Sequence, residues 1–313
     1  MRQPLHLADG TQGAAWLGRG PASGVESLHS HPEVEVNLVT GGTARYLVGG
    51  SSVDLGPDDL VWLLPHQDHG LTARSPDFGL WVAVFRPGAL RRAGVGGRLA
   101  DPSPDDDRPW TARLPRPVAA RLRQLLAEVA ELGPPPRQVG GGLPPSRSST
   151  SKPELRPGQR PAGEGRRGPG QRPAGEDDAK LLNAALGYLA VRAWLACVGA
   201  AHTPATRPLH PSVRQAAHAL WQEPAGLDRQ ALAHLVGLSP GRLSRLFNEQ
   251  IGTSLADYRR RVMLARVVEL RARGGGGNLT SLAYAAGFGS YASFHRAHVQ
   301  ILGEPPSARM RAR

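Results

Sequence analysis

Apolar residues along this chain change their spacing twice, and each change predicts a different kind of element. Residues 24–85 hold short runs: Val34-Glu35-Val36-Asn37-Leu38-Val39, Ala44-Arg45-Tyr46-Leu47-Val48, Leu60-Val61-Trp62-Leu63-Leu64 and Leu80-Trp81-Val82-Ala83-Val84-Phe85. The runs are rich in β-branched, aromatic and leucine side chains, and Gly-Gly, Gly-Pro-Asp-Asp and Pro-Asp signals separate them. Several short strands at such spacing predict an all-β sandwich or barrel. From Pro115 the spacing becomes helical: Val118, Leu122, Leu125, Leu126, Val129 and Leu132 recur three and four apart, until Gly133-Pro134-Pro135-Pro136 stops the helix. A second apolar helix is predicted over roughly 178–200, with Leu181, Leu182, Ala185, Leu189, Trp194 and Leu195. Both carry more apolar surface than a solvated helix bears. Two alternatives stay open: a helical hairpin that supplies a dimer seam, or packing on the barrel.

Between these helices, residues 133–177 are mostly Pro, Gly, Ser and Arg. Such a stretch cannot bury enough apolar surface to offset its ordering entropy, so a disordered insertion is expected. Pro-Gly-Gln-Arg-Pro-Ala-Gly-Glu occurs in it twice, at 157–164 and 169–176. One copied unit does not make a solenoid.

From His210 the pattern is helical with short breaks. In Arg229-Gln-Ala-Leu-Ala-His-Leu-Val-Gly-Leu-Ser-Pro-Gly-Arg-Leu-Ser-Arg-Leu-Phe247, Ala233 supplies the small residue two crossing helices need. Gly237, four residues on, permits the sharp turn. Ser239 caps the next helix, with Pro240 at its first position. Leu243, Leu246 and Phe247 point inward and leave Arg242, Ser244, Arg245 and Asn248 on a polar outer face, as a helix entering the major groove requires. Fifty residues later Leu282-Ala283-Tyr-Ala-Ala-Gly287-Phe288 repeats the pattern. Ser290 caps a helix with Phe294 inward and Tyr291, Ser293, His295 and Arg296 outward. A long helix, about 254–272, links the two units.

Charge sharpens this division. The chain of 313 residues has a net charge of +12. Residues 1–132 balance 13 Arg against 15 Asp and Glu, whereas residues 207–313 hold 15 Arg against 6 acids. A basic C-terminal module behind a slightly acidic N-terminal one points to a polyanion as partner of the former. No uninterrupted apolar run of about 18 residues is evident, and the N-terminus lacks the apolar core of a signal peptide. A cytoplasmic protein without membrane contact is expected. Its single cysteine, Cys197, excludes an internal disulfide.

Residues 205–313 resemble the DNA-binding domain of the AraC/XylS family of bacterial regulators. The phrases Leu238-Ser-Pro-Gly-Arg-Leu-Ser-Arg-Leu-Phe247, Gly252-Thr-Ser-Leu-Ala-Asp-Tyr258 and Ala283-Tyr-Ala-Ala-Gly-Phe288 carry the resemblance. It implies that 239–250 and 290–301 are recognition helices, set in successive major grooves by the linking helix. Met263 stands where the family usually has Arg, and His298 where it has a core Phe. Val299, Gln300 and Ile301 occupy a commonly basic stretch. Weaker DNA contact by the second unit is therefore expected.

The N-terminal half offers other chemistry. His29 and His31, two apart on an extended segment, share one face, with Glu35 further along it and His69 later in the chain. The stretch 24–70 resembles the cupin barrel, and this likeness implies that His29, His31, Glu35 and His69 are candidate ligands of a divalent metal. Trp16, Trp62 and Trp81 are read either as lining an effector pocket or as core.

The fold class expected is α+β multidomain. A cupin-like effector-sensing barrel (1–110) is followed by a helical hairpin and linker (111–204) and an all-α domain with two helix-turn-helix units (205–313). The function expected is sequence-specific regulation of transcription, without catalysis or an obligatory cofactor. Its partners would be double-stranded DNA, a small-molecule effector, a second copy of the chain and, for an activator, RNA polymerase. The rival reading is a metal-dependent cupin enzyme fused to a degenerate helical domain. A third is a regulator acting through protein contacts alone.

Overall fold

The structure is a computed structural model that describes residues 5–19, 28–95, 109–135, 137–138, 174–272 and 278–307. Its first part is built from β1 (Leu5–His6), β2 (Gly13–Arg19), β3 (Val34–Gly41), β4 (Ala44–Val48), β5 (Ser51–Leu55), β6 (Asp59–Leu63), β7 (His69–Arg74) and β8 (Gly79–Phe85). A short helix α1 (Pro87–Arg92), β9 (Trp110–Arg113), α2 (Arg116–Leu132), β10 (Arg137–Gln138) and α3 (Ala174–Val198) follow. After β11 (Thr206–Pro208) come α4 (Pro211–Gln222), α5 (Arg229–Leu235), α6 (Pro240–Ile251), α7 (Leu255–Ala272), α8 (Leu279–Ala285) and α9 (Tyr291–Leu302).

Two antiparallel sheets form the barrel, ordered β2-β8-β3-β6-β9 and β11-β5-β4-β7. Side chains alternate across a strand, so the larger sheet feeds two separate cores. Leu60, Trp62 and Leu64 join Val34, Val36, Leu38, Ala83 and Phe85 on its outer face. Val61, Leu63, Val82 and Val84 turn inward to meet Tyr46, Val53 and Leu71 of the smaller sheet. Burial on both faces explains why these strands read as nearly continuous apolar runs. The sheet extends past residue 110, because β9 pairs with β6 from Trp110 to Arg113. Asp59 locks that edge: it is fully buried and takes both Arg113 Nε at 2.7 Å and Nη2 at 2.8 Å.

The outer core is closed by α2 and α3 together. Leu122, Leu126 and Val129 of α2 and Leu182, Leu186, Leu189, Ala190 and Ala193 of α3 pack on each other and on the sheet. The two helices thus form a hairpin that packs on the barrel. Over Asp177–Val198, α3 is long and apolar enough to cross a membrane by composition. Asn183 and Arg192 interrupt its apolar run, and one face of this helix is committed to the core.

Part of the expected insertion is ordered. Arg137 and Gln138 form β10 on β1, and α3 begins at Ala174, inside the range 133–177. Residues 139–173, with both repeat copies apart from the last three residues of the second, lie outside the described residues.

The helical module docks on the barrel. β11 pairs with β5, and the Leu209 N–H donates to Gly50 O at 2.9 Å. Leu47 of β4 is buried within the core of α4, α5 and α6. The long helix α7 serves two cores, placing Tyr258 and Val262 in the first and Met263, Leu264 and Val267 in the second.

Candidate functional site

The two helical units are built alike from their caps upward. Asp228 accepts from the Ala231 N–H at 2.7 Å to open α5, and Asn278 accepts from the Ser281 N–H at 2.9 Å to open α8. The Leu238 N–H donates to Ala233 O, and the Phe288 N–H to Ala283 O, both at 3.0 Å. Within those turns Gly237 and Gly287 adopt φ of +68° and +106°, where an L side chain is strained. Ser239 and Ser290 then cap α6 and α9.

Inward faces are apolar: Leu243, Phe247 and Ile251 on α6, and Phe294, Ala297, Ile301 and Leu302 on α9. Outward, Arg242, Arg245 and Asn248 of α6 are exposed, as is Arg296 of α9. Tyr291 and His295 are half-buried, with ring centroids 6.2 Å apart. The two serines expected on these faces are occupied by backbone. Ser244 Oγ donates to Pro240 O at 2.8 Å, and Ser293 Oγ donates to Ser290 O at 2.7 Å while accepting from the Ser290 N–H. Ile301 lies in the core, away from any phosphate-facing position, and so do His298 and Met263.

The four metal candidates converge at one end of the barrel. His29 and His69 form an isolated antiparallel bridge, each N–H donating to the other's carbonyl at 2.9 Å. Their ring centroids lie 4.3 Å apart, and that of His31 lies 5.1 Å from that of His69. One ring nitrogen of each lies within 4.8 Å of the others. Glu35 Oε2 is 3.0 Å from His31 Nε2 and 3.8 Å from His69 Nε2, while Glu35 Oε1 accepts from Asn37 Nδ2 at 2.7 Å. His69 Nδ1 is hydrogen-bonded to Gln67 O at 2.8 Å, which leaves its buried Nε2 without a hydrogen bond.

Sequence reasoning missed Glu33, whose carboxylate stands 3.4 Å from His31 Nδ1. Its place beside Pro32 gave no periodic signal. Burial pushes the His31 imidazole down, but Glu33 and Glu35 outweigh it and lift its pKa to about 9. Burial pushes the Glu35 carboxyl up, and the hydrogen bond from His31 with the surrounding imidazoles brings it down to about 2. Burial and the neighbouring His29 hold His69 down at about 3, so it stays neutral.

A cavity of about 1080 Å³ opens between this end of the barrel and the helical module. Leu28, His29, Leu47 and His66 line it from the barrel, and Trp221 and Arg266 from α4 and α7. The expected tryptophans are elsewhere: Trp16 and Trp62 are buried core, and Trp81 packs against the outer core. Trp221 escaped notice because one aromatic on an amphipathic helix reads as core.

A barrel with a polar, histidine-lined end, fused to a duplicated helix-turn-helix, defines the class: a sensing domain joined to a DNA-binding module. A profile described as "AraC-like ligand binding domain" matches residues 18–138, and one described as "Helix-turn-helix domain" matches residues 232–312, together well over half of the chain. The chain belongs to the AraC family.

The chain is 37% identical over 82 residues to the HTH-type transcriptional regulator GlxA of Rhizobium meliloti (strain 1021). The match covers 26% of this chain and 25% of that relative, so the chain spans about a quarter of the relative's length. Among solved structures, ToxT from Vibrio cholerae aligns over 96% of this chain and 97% of its own, at 11% identity and a TM-score of 0.35. The AraC-like transcriptional activator CuxR aligns over 82% and 72%, at 13% identity and a TM-score of 0.29.

Proposed function

We propose that this chain is a sequence-specific regulator of transcription that binds double-stranded DNA through α6 and α9 under the control of a small-molecule effector. The observation that supports it most is the duplicated unit, in which caps, turn glycines and apolar inner faces recur while Arg242, Arg245 and Asn248 on one copy and Arg296 on the other stay exposed. Arginine and asparagine on an exposed helix suit guanine and adenine edges in the major groove. A degenerate helical domain, as the enzyme reading requires, would have no reason to retain both sets of caps. The chain is read as non-catalytic.

The effector is assigned to the barrel end that faces the helical module. Large side chains fill the space between the two sheets, whereas the cavity of about 1080 Å³ has the size of a small-molecule site. The chain is read as cytoplasmic and dimeric, and as contacting RNA polymerase if it activates. Leu181, Tyr188 and Leu195 lie exposed at seven-residue spacing on α3, with Val198 beside them, a pattern that suits a two-helix seam with a second copy.

Selection of bound fragments from a random DNA library tests the proposal. Enrichment of a shared sequence with two elements about one helical turn apart is the expected result. Recovery of no sequence preference at moderate salt would overturn it.

A further inference from the structure

We propose that the barrel itself extends the DNA-contacting surface, with Arg207 of β11 taking a backbone phosphate beside the C-terminal end of α6. This assignment rests on the reading of the chain as a regulator that binds duplex DNA.

Three segments outside the helix-turn-helix units bracket that end of α6. From β4, Arg45 Nη1 donates to Glu249 O at 3.0 Å, and from β7, Thr72 Oγ1 donates to Ile251 O at 2.7 Å. Just after β11, the His210 N–H donates to Gln250 Oε1 at 2.8 Å. An α-helix with its side chains is about 10–12 Å across, and the major groove of B-DNA is about 12 Å wide. A helix lying in the groove therefore fills it. Groups that flank the end of such a helix meet the sugar–phosphate strands and not the bases.

Register places Arg207 among those flanking groups. Arg45 pairs with Asp54 between β4 and β5, and Arg207 pairs with Ser52 between β5 and β11. Ser52 and Asp54 are two apart on one strand, so they and the two arginines share a face of the sheet. Leu47, opposite Ser52, is buried in the core of α4 to α6, so this is the face turned to the helical module.

The charge on this face is unbalanced. Asp54 holds both guanidiniums, Arg45 Nε at 2.6 Å and Arg207 Nη1 only at 3.5 Å. One carboxylate cannot neutralise two guanidiniums. Arg45 is engaged on Asp54 and on the end of α6, whereas the Arg207 side chain is 64% exposed and carries the excess charge outward. Glu249 is also exposed at this end, and Arg245, one turn earlier on α6, offsets it. An exposed guanidinium beside a groove-filling helix suits a phosphate, which adds affinity and carries no sequence information.

Titration of the full chain over a series of salt concentrations tests this, with a duplex chosen by random-library selection and with an unrelated duplex. Each phosphate neutralised adds about 0.9 to the slope of log affinity against log salt. Arg207→Gln is expected to make that slope shallower by about one on both duplexes, and to weaken both by the same factor. Arg207→Lys should restore the slope, since a lysine ammonium also serves a phosphate as a point charge. Phosphate ethylation should locate the contact: one phosphate beside the α6 element, at which modification weakens the native chain and leaves Arg207→Gln unaffected.

An unchanged slope in Arg207→Gln would overturn the contact. So would a loss confined to the selected duplex, which would mean that Arg207 acts on base reading through α6. A chain that binds duplexes without sequence preference would overturn the regulator reading alone, because the slope on unrelated DNA still measures Arg207. A chain that binds no duplex would overturn both.

Discussion

Arg245 is exposed midway along α6, a helix whose opposite face is buried, and in the proposed DNA complex it takes a guanine edge or a phosphate. Replacing it with alanine is expected to weaken specific binding by about 1–3 kcal/mol while the melting temperature holds. Titration of a selected DNA duplex checks the first half and a thermal scan the second. The turn glycines separate backbone strain from crowding. An alanine Cβ at Gly237 would meet nothing within 4 Å, so Gly237→Ala costs only its positive φ, about 1 kcal/mol. At Gly287 the same atom would stand 2.9 Å from the Cβ of Ala225 and 3.4 Å from Met263 Sδ, at φ +106°. Gly287→Ala is expected to cost more, about 2–3 kcal/mol, and urea unfolding of both variants ranks them. His298 shows the limit of reading residues one at a time. It stands where a core phenylalanine is usual, yet it is buried, its ring lies 5.8 Å from that of Phe294, and its Nδ1 is hydrogen-bonded to Glu304 O at 2.6 Å.

The two recognition helices differ as elements. α6 presents Arg242, Arg245 and Asn248, whereas α9 presents Arg296 with Tyr291 and His295 half-covered and Val299 exposed. Base-edge contacts carry discrimination and phosphate contacts carry affinity alone. Bases under α6 are expected to be read strictly, at roughly 1–3 kcal/mol per mismatch, and bases under α9 more loosely. A binding scan over every single-base variant of the selected site measures both. Equal penalties in the two halves would mean that Tyr291, His295 and Arg296 read bases as fully as the α6 face does. The helices and the strands buried on both faces were legible because their apolar spacing is dense. β5, with only Val53 and Leu55 apolar, and β11, three exposed residues, were not. Such strands are held by partners that are distant in the chain, and their own side chains say little.

At the scale of the whole molecule, the exposed stripe of α3 is expected to join two chains. Leu195→Glu should convert a dimer to a monomer in sedimentation experiments, and because Leu195 is 53% exposed, the change should leave monomer stability nearly intact. An unchanged sedimentation coefficient would place the seam elsewhere.

The duplicated helical unit, its caps and turn glycines, and the candidate set of histidines with Glu35 were legible in the sequence alone. Each is a local signal, carried by residues a few positions apart whose backbone geometry or helical face follows from residue type. Tertiary structure alone decided where the cavity lies and that Glu33 stands beside the converged histidines. It also decided that Thr72 of the barrel holds the end of α6. The cavity and the Thr72 contact depend on segments far apart in the chain, 179 residues in the case of Thr72 and Ile251, which no periodicity records. Such contacts are selected by the packing of two domains against each other, and only the folded chain carries out that packing.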